Sequence, residues 1–79
     1  MKKIFPCIIG LGYVGLPVFI SLNNKFESIG FDIDKNRVKS LTQGIDTNNE
    51  FDKKSLILKN NSKITCDEKN LKKCNFYII

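Results

Sequence analysis

Seventy-nine residues hold one small domain rather than two, and a chain of this size buries only about 60% of the surface its unfolded form exposes. An apolar share of 42% beside 27% charged residues excludes disordered and fibrous classes, and the longest apolar runs, such as Phe76 to Ile79, fall far short of the ~20 residues a membrane helix needs. The net charge of +5 arises beyond residue 34, where Lys53, Lys54, Lys59, Lys63, Lys69, Lys72 and Lys73 alternate with Asn, Asp and Glu and no aromatic platform for bases, the pattern of a solvated surface rather than a nucleic-acid interface.

Met1-Lys2-Lys3 resembles the start of a secretory leader, but the glycines from Gly10 to Gly15 interrupt the apolar stretch after it and no small-residue cleavage site closes it. A cytoplasmic location and no membrane partner are expected. Ile4, Phe5, Cys7, Ile8 and Ile9 then form a near-continuous apolar run, as in a strand buried on both faces of a parallel sheet. Pro6 sits inside it and forfeits one ladder bond, so either the strand starts after Pro6 or the sheet tolerates a defect. Val14, Val18 and Leu22 recur at four-residue steps with Phe19 beside them, predicting a helix from about Tyr13 to Leu22 that stops at Asn23-Asn24.

Phe26 leads into Ile29, Gly30, Phe31 and Ile33, a second strand ending in the acidic pair Asp32 and Asp34. Asp34 is placed to cap a short helix carrying Val38 and Leu41, and Gly44 is placed to end it. Residues 45 to 51 read as a loop. Asp52 opens a predicted short helix through Leu56, Ile57 and Leu58; Lys63 to Cys66 is a third strand, Glu68 to Lys73 a helical turn, and Asn75 to Ile79 a fourth strand. The six phenylalanines read as core. Strand alternating with helix is the grammar of an α/β fold with a parallel sheet of about four strands.

Gly10-Leu11-Gly12-Tyr13-Val14-Gly15 comes directly after the first strand and opens the first helix, which is the context in which such a glycine turn binds a dinucleotide. Gly10 makes the bend, Gly12 lets phosphates approach the backbone, and Gly15 lets helix and strand pack closely. The helix then directs free N–H groups and about half a positive charge at the phosphates. Asp32, 22 residues after Gly10, stands where a carboxylate accepts hydrogen bonds from the adenosine ribose, and its charge repels a 2′-phosphate, favouring NAD over NADP. A structural turn without ligand and a solvated strand end or helix cap are the alternatives. Arg37, one helical turn on, is a candidate for the ribose, the adenine face or a phosphate, or for a pair with Asp34. Cys7, Cys66 and Cys74 are odd in number and the chain has no histidine, so reduced, mostly buried thiols and no metal are expected.

The stretch Ile8-Ile9-Gly10-Leu11-Gly12-Tyr13-Val14-Gly15-Leu16-Pro17 resembles the opening of the nucleotide-sugar 6-dehydrogenases, the family that includes UDP-glucose and GDP-mannose dehydrogenases. Gly30-Phe31-Asp32-Ile33-Asp34 with Arg37-Val38, then Gly44-Ile45-Asp46, then Cys74-Asn75-Phe76-Tyr77-Ile78-Ile79 extend the likeness along nearly the whole chain. It is most similar to the branch acting on UDP-N-acetylhexosamines for surface polysaccharides. The resemblance implies a Rossmann-like fold, NAD as cofactor, and oxidation of a sugar C6 alcohol to a carboxylate through a thioester on a catalytic cysteine.

In that family the nucleophilic cysteine, its partner lysine and acid, and the sugar-nucleotide pocket lie beyond the length matched here, and Cys7, Cys66 and Cys74 match none of them. The expectation is therefore residues 1–79 as the N-terminal part of a dinucleotide-binding domain, with no second domain, no catalytic residue and a UDP-sugar partner only in the complete enzyme. A sheet left incomplete after the fourth strand can self-associate. A stand-alone, non-catalytic NAD-binding or regulatory module is the other reading.

Overall fold

The computed structural model describes residues 3–79; Met1 and Lys2, which begin the leader-like Met1-Lys2-Lys3, lie outside them. Four parallel strands, β1 (Pro6–Ile9), β2 (Ile29–Phe31), β3 (Lys63–Thr65) and β4 (Phe76–Ile78), form one sheet in the order β3-β2-β1-β4. Helix α1 (Gly15–Asn23) links β1 to β2, α2 (Lys35–Thr42) comes after β2, and a 3-10 helix (Glu68–Lys73) precedes β4.

The two steps from β1 through α1 to β2, and on through α2 to β3, run in the same direction across the sheet. Right-handed crossovers therefore place both helices on one face, and the reversed step to β4 places the 3-10 helix on the other. Side-chain alternation along the strands feeds each layer. Ile8 and Ile64 join Leu16, Phe19, Val38, Leu41 and Leu56 on the helical face; Cys7, Ile29, Phe31 and Cys74 pack on the other, with Leu71 of the 3-10 helix against them.

Pro6 causes no internal gap. It is the first residue of β1, and pairing with β2 begins only at Cys7 opposite Ile29, so its missing N–H falls where the ladder toward β2 has not started. Helix α1 begins two residues later than the pattern predicts and buries a different stripe, Leu16, Phe19 and Asn23, while Val14 is 80% exposed outside the helix. The buried Asn23 is satisfied on three sides: Nδ2 donates to the Ile20 carbonyl, Oδ1 accepts from Lys59 N–H, and its own carbonyl accepts from Asn60. It thereby ties the turn before β3 to the end of α1.

Both predicted caps of α2 form. Asp34 Oδ1 accepts from the Asn36 and Arg37 N–H groups. Beyond the other end Gly44 adopts φ +81°, its N–H reaching the Leu41 carbonyl and that of Ile45 reaching Ser40, a Schellman closure. The helix predicted through Leu56 to Leu58 does not form. Asp52 closes only one turn by accepting from the Ser55 N–H and hydroxyl, after which Leu56 is buried and Ile57 is 63% exposed. Two further expectations need correcting: Cys66 is exposed rather than buried, and Phe76, on edge strand β4, is 55% exposed rather than core.

Among the described residues no helix is long and apolar enough to cross a membrane, and no three or more His, Cys, Asp or Glu side chains gather as a metal site.

Candidate functional site

Strand order reverses between β1 and β4, and in open parallel sheets ligands bind outside the carboxyl ends of the strands at that point. The glycine turn lies there. Ile9, Gly10, Gly12 to Gly15, Val18 and Ile78 are among the residues lining a crevice of about 370 Å³.

Each glycine of the turn has its own reason. Gly10 holds φ +99°, a conformation costly to any residue with a Cβ, and its N–H donates to the Phe31 carbonyl at 2.8 Å, fixing the turn to the end of β2. A Cβ on Gly15 would stand 1.7 Å from the Gly10 carbonyl oxygen, so the contact of helix with turn exists only because Gly15 has none. Gly12 is the opposite case: a Cβ there meets nothing within 4 Å. Local packing does not require glycine at 12, whereas a ligand drawn close against the backbone does.

Tyr13 and Val14, 66% and 80% exposed, flank that opening. The first i to i−4 bond of the helical region runs from Leu16 N–H to the Gly12 carbonyl, and the N-cap residue Val14 supplies no side-chain cap. Among the described residues the N–H groups of Gly12, Tyr13 and Val14 have no acceptor. Unspent donors at an uncapped helix start suit an anion.

Asp32 stands directly after β2, and its carboxylate is already oriented: Oδ2 accepts from Leu11 N–H at 2.9 Å and Oδ1 from Asp34 N–H at 2.9 Å. Each oxygen keeps a second lone pair for a hydroxyl donor. Leu11 thus enters the site through its backbone, its amide engaged by Asp32 and its side chain fully buried.

Arg37 does not form the pair with Asp34 that its spacing allows. Its Nε donates to the Leu11 carbonyl at 2.8 Å and its Nη1 to Asp46 Oδ1 at 2.7 Å, with Thr47 Oγ1 at 3.4 Å. Arg37 and Asp46 form an ion pair with side chains 9% and 0% exposed. Asp46 also accepts from the N–H groups of Asn48, Glu50 and Phe51. Burial pushes its carboxyl pKa up, but the Arg37 hydrogen bond and those three backbone bonds outweigh burial and leave it below the ordinary value. Sequence reasoning gave Asp46 no role of its own; an Asp with Asn48 and Glu50 two and four residues on, just past a glycine helix stop, is the signal of an Asx-type loop anchor.

Two of the three thiols are buried, those of Cys7 and Cys74. Burial, reinforced by the neighbouring Cys74, pushes the Cys7 thiol up to about 12, and burial raises Cys74 as well, which leaves both protonated and poor nucleophiles.

Residues 3–79 match the model of the UDP-glucose/GDP-mannose dehydrogenase family, NAD binding domain. The chain is 42% identical over 72 residues to UDP-N-acetyl-D-glucosamine 6-dehydrogenase of Salmonella typhi, covering 91% of this chain and 17% of that protein. It is 38% identical over 79 residues to the protein of the same name from Pseudomonas aeruginosa, covering 100% of this chain and 19% of the relative. Protein CapL of Staphylococcus aureus is 45% identical over 73 residues, 91% of this chain and 17% of CapL. No solved structure matches significantly. The chain thus spans less than a fifth of the length of these curated relatives. A parallel sheet with its glycine turn at the switch point, matched by a family model along residues 3–79, leads to one conclusion: this chain belongs to the UDP-glucose/GDP-mannose dehydrogenase family, its residues 3–79 matching the NAD binding domain.

Proposed function

We propose that the chain holds NAD with its pyrophosphate against Gly10, Gly12 and Gly15, beside the free N–H groups of Gly12, Tyr13 and Val14, and with its adenosine ribose on Asp32. The observation that carries this reading is the contrast between the glycines. Space above Gly12 is open and edged by unspent donors, while Gly15 is filled to contact. Leu11 serves by orienting Asp32, and Arg37 lies one bond further back, behind Leu11. NAD is preferred over NADP because the Asp32 carboxylate would face a 2′-phosphate.

The larger role is cofactor binding for the oxidation of a UDP-N-acetylhexosamine at C6, in the cytoplasm, toward surface polysaccharide. Support comes from relatives named for UDP-N-acetyl-D-glucosamine 6-dehydrogenase and from UDP-N-acetyl-D-mannosamine dehydrogenase of Methanococcus vannielii, 49% identical over 45 residues. Bound NAD supplies the hydride acceptor. The chain's own residues bind and orient the adenosine and pyrophosphate half.

Calorimetric titration of the 79-residue chain with NAD tests the site. Saturable binding that weakens at least about tenfold in Asp32→Ala, the scale of a lost hydrogen bond to a charged group, and that exceeds binding of NADP, is expected. Equal binding by wild type and Asp32→Ala would sink the assignment. The same chain mixed with NAD and UDP-N-acetylglucosamine is expected to give no NADH absorbance, since its residues address only the adenosine half of the cofactor.

A further inference from the structure

We infer that Asp46 is a positioning residue of the cofactor site, acting through Arg37 to fix the Leu11 carbonyl and so the course of the glycine turn. The inference rests on the NAD reading above and deepens it.

Leu11 is gripped at both ends of its backbone. Its N–H is held by Asp32, the ribose-facing carboxylate, and its carbonyl by Arg37 Nε. The peptide joining Leu11 to Gly12 therefore has its carbonyl end tied down, and the N–H at its other end is the Gly12 amide, the first unspent donor of the turn. An arginine on a flexible stem performs this only if its guanidinium plane is itself fixed. Asp46 fixes it with a 2.7 Å bond to Nη1, and Asp46 is in turn immobilised by three backbone N–H groups of its own loop.

The arrangement is a chain of single contacts running from loop 45–51 through Arg37 to the phosphate-facing turn. Its middle is buried: the Asp46 side chain is fully buried, and Arg37 Nη2 is buried with no partner among the described residues. The Arg37 fork directs Nε to the Leu11 carbonyl and Nη1 to Asp46. It is the geometry of a guanidinium placed for where Nε must point. Asp46 does not line the crevice, and the hydrogen-bonded route from its side chain to the glycine turn runs through Arg37 and Leu11.

The test uses the full 79-residue chain, with Asp46→Asn, which keeps an acceptor for the loop N–H groups but loses the charge, and Arg37→Lys, which keeps the charge but loses the fork. NAD affinity by calorimetry is read beside the backbone amide NMR signals of Leu11 and Gly12, at a temperature where each variant is folded. The expected result is a roughly ten- to hundredfold weakening in each, the range for losing a hydrogen bond to a charged group. Movement of the Leu11 and Gly12 signals should accompany it, while signals of β3 and the 3-10 helix stay in place. Variants with wild-type affinity and unmoved Leu11 and Gly12 signals overturn the inference while leaving the NAD site standing. If the wild type itself binds no NAD, the functional reading fails, and the two amide signals alone decide: moved in both variants they uphold the positioning of the turn, unmoved they overturn it. Should Asp46→Asn not fold, Arg37→Lys decides by the same two readouts.

Discussion

Gly12 and Gly15 sit in the same turn with opposite duties, and a single methyl group tells them apart. In Gly15→Ala the new Cβ meets the Gly10 carbonyl oxygen at 1.7 Å, a backbone atom that cannot step aside, so α1 must leave the sheet. A stability loss of about 3 kcal/mol or more is expected by urea unfolding. Gly12→Ala adds a methyl to open space and is expected to unfold within about 0.5 kcal/mol of wild type while losing NAD affinity, because the methyl occupies the approach of the pyrophosphate. A Gly12→Ala chain that binds NAD normally would mean that the turn is merely structural. The thiols divide just as sharply. With Cys7 pushed up to about 12 and Cys74 buried beside it, only the exposed Cys66 should react with a thiol reagent at mildly alkaline pH, and all three in denaturant.

At the scale of elements, α2 depends on its ends more than on its length, since eight residues are too few to be helical alone. Asp34→Ala removes the acceptor for two first-turn N–H groups and is expected to cost about 1 kcal/mol. Its backbone N–H still reaches Asp32 Oδ1, so NAD affinity should stay close to that of wild type, which titration can check. The strands, the Asp34 and Gly44 caps and the glycine turn were legible because each depends on neighbours in sequence. The segment after Asp52 was misread for the converse reason. Three successive apolar residues fit a helix or an extended chain equally, and only packing of Leu56 beneath α2 and β3 selects between them.

For the whole molecule, the Arg37 and Asp46 pair ties three separate regions, the glycine turn, α2 and loop 45–51, into one unit. Removing one partner strands a buried charge, so Asp46→Ala is expected to destabilise by about 3–5 kcal/mol. The same carboxylate sets an acid limit. Its folded pKa lies below the ordinary value of 3.8, so the unfolded chain takes up the proton first. The stabilisation is complete above that ordinary value and drains as pH falls through it toward the folded one. Asp52, lowered by its bonds from Ser55, acts in the same direction. Urea midpoints measured from neutral pH down to roughly pH 3, through the carboxylate range, should fall steeply for wild type and less steeply for Asp46→Asn; parallel slopes would remove Asp46 as a source.

By itself the sequence determined the βαβ order, the glycine turn, the carboxylate at the end of β2 and the helix caps, all of which arise from spacing and from residues that act on backbone within a few positions. It also carried the family through motifs such as Gly12-Tyr13-Val14-Gly15-Leu16-Pro17. Only the tertiary structure decided that Arg37 turns from Asp34 to Asp46 and holds the Leu11 carbonyl. Those outcomes depend on groups brought together across the fold, such as Arg37 and Leu11, 26 residues apart, where burial strengthens a charged hydrogen bond that spacing along the chain does not reveal.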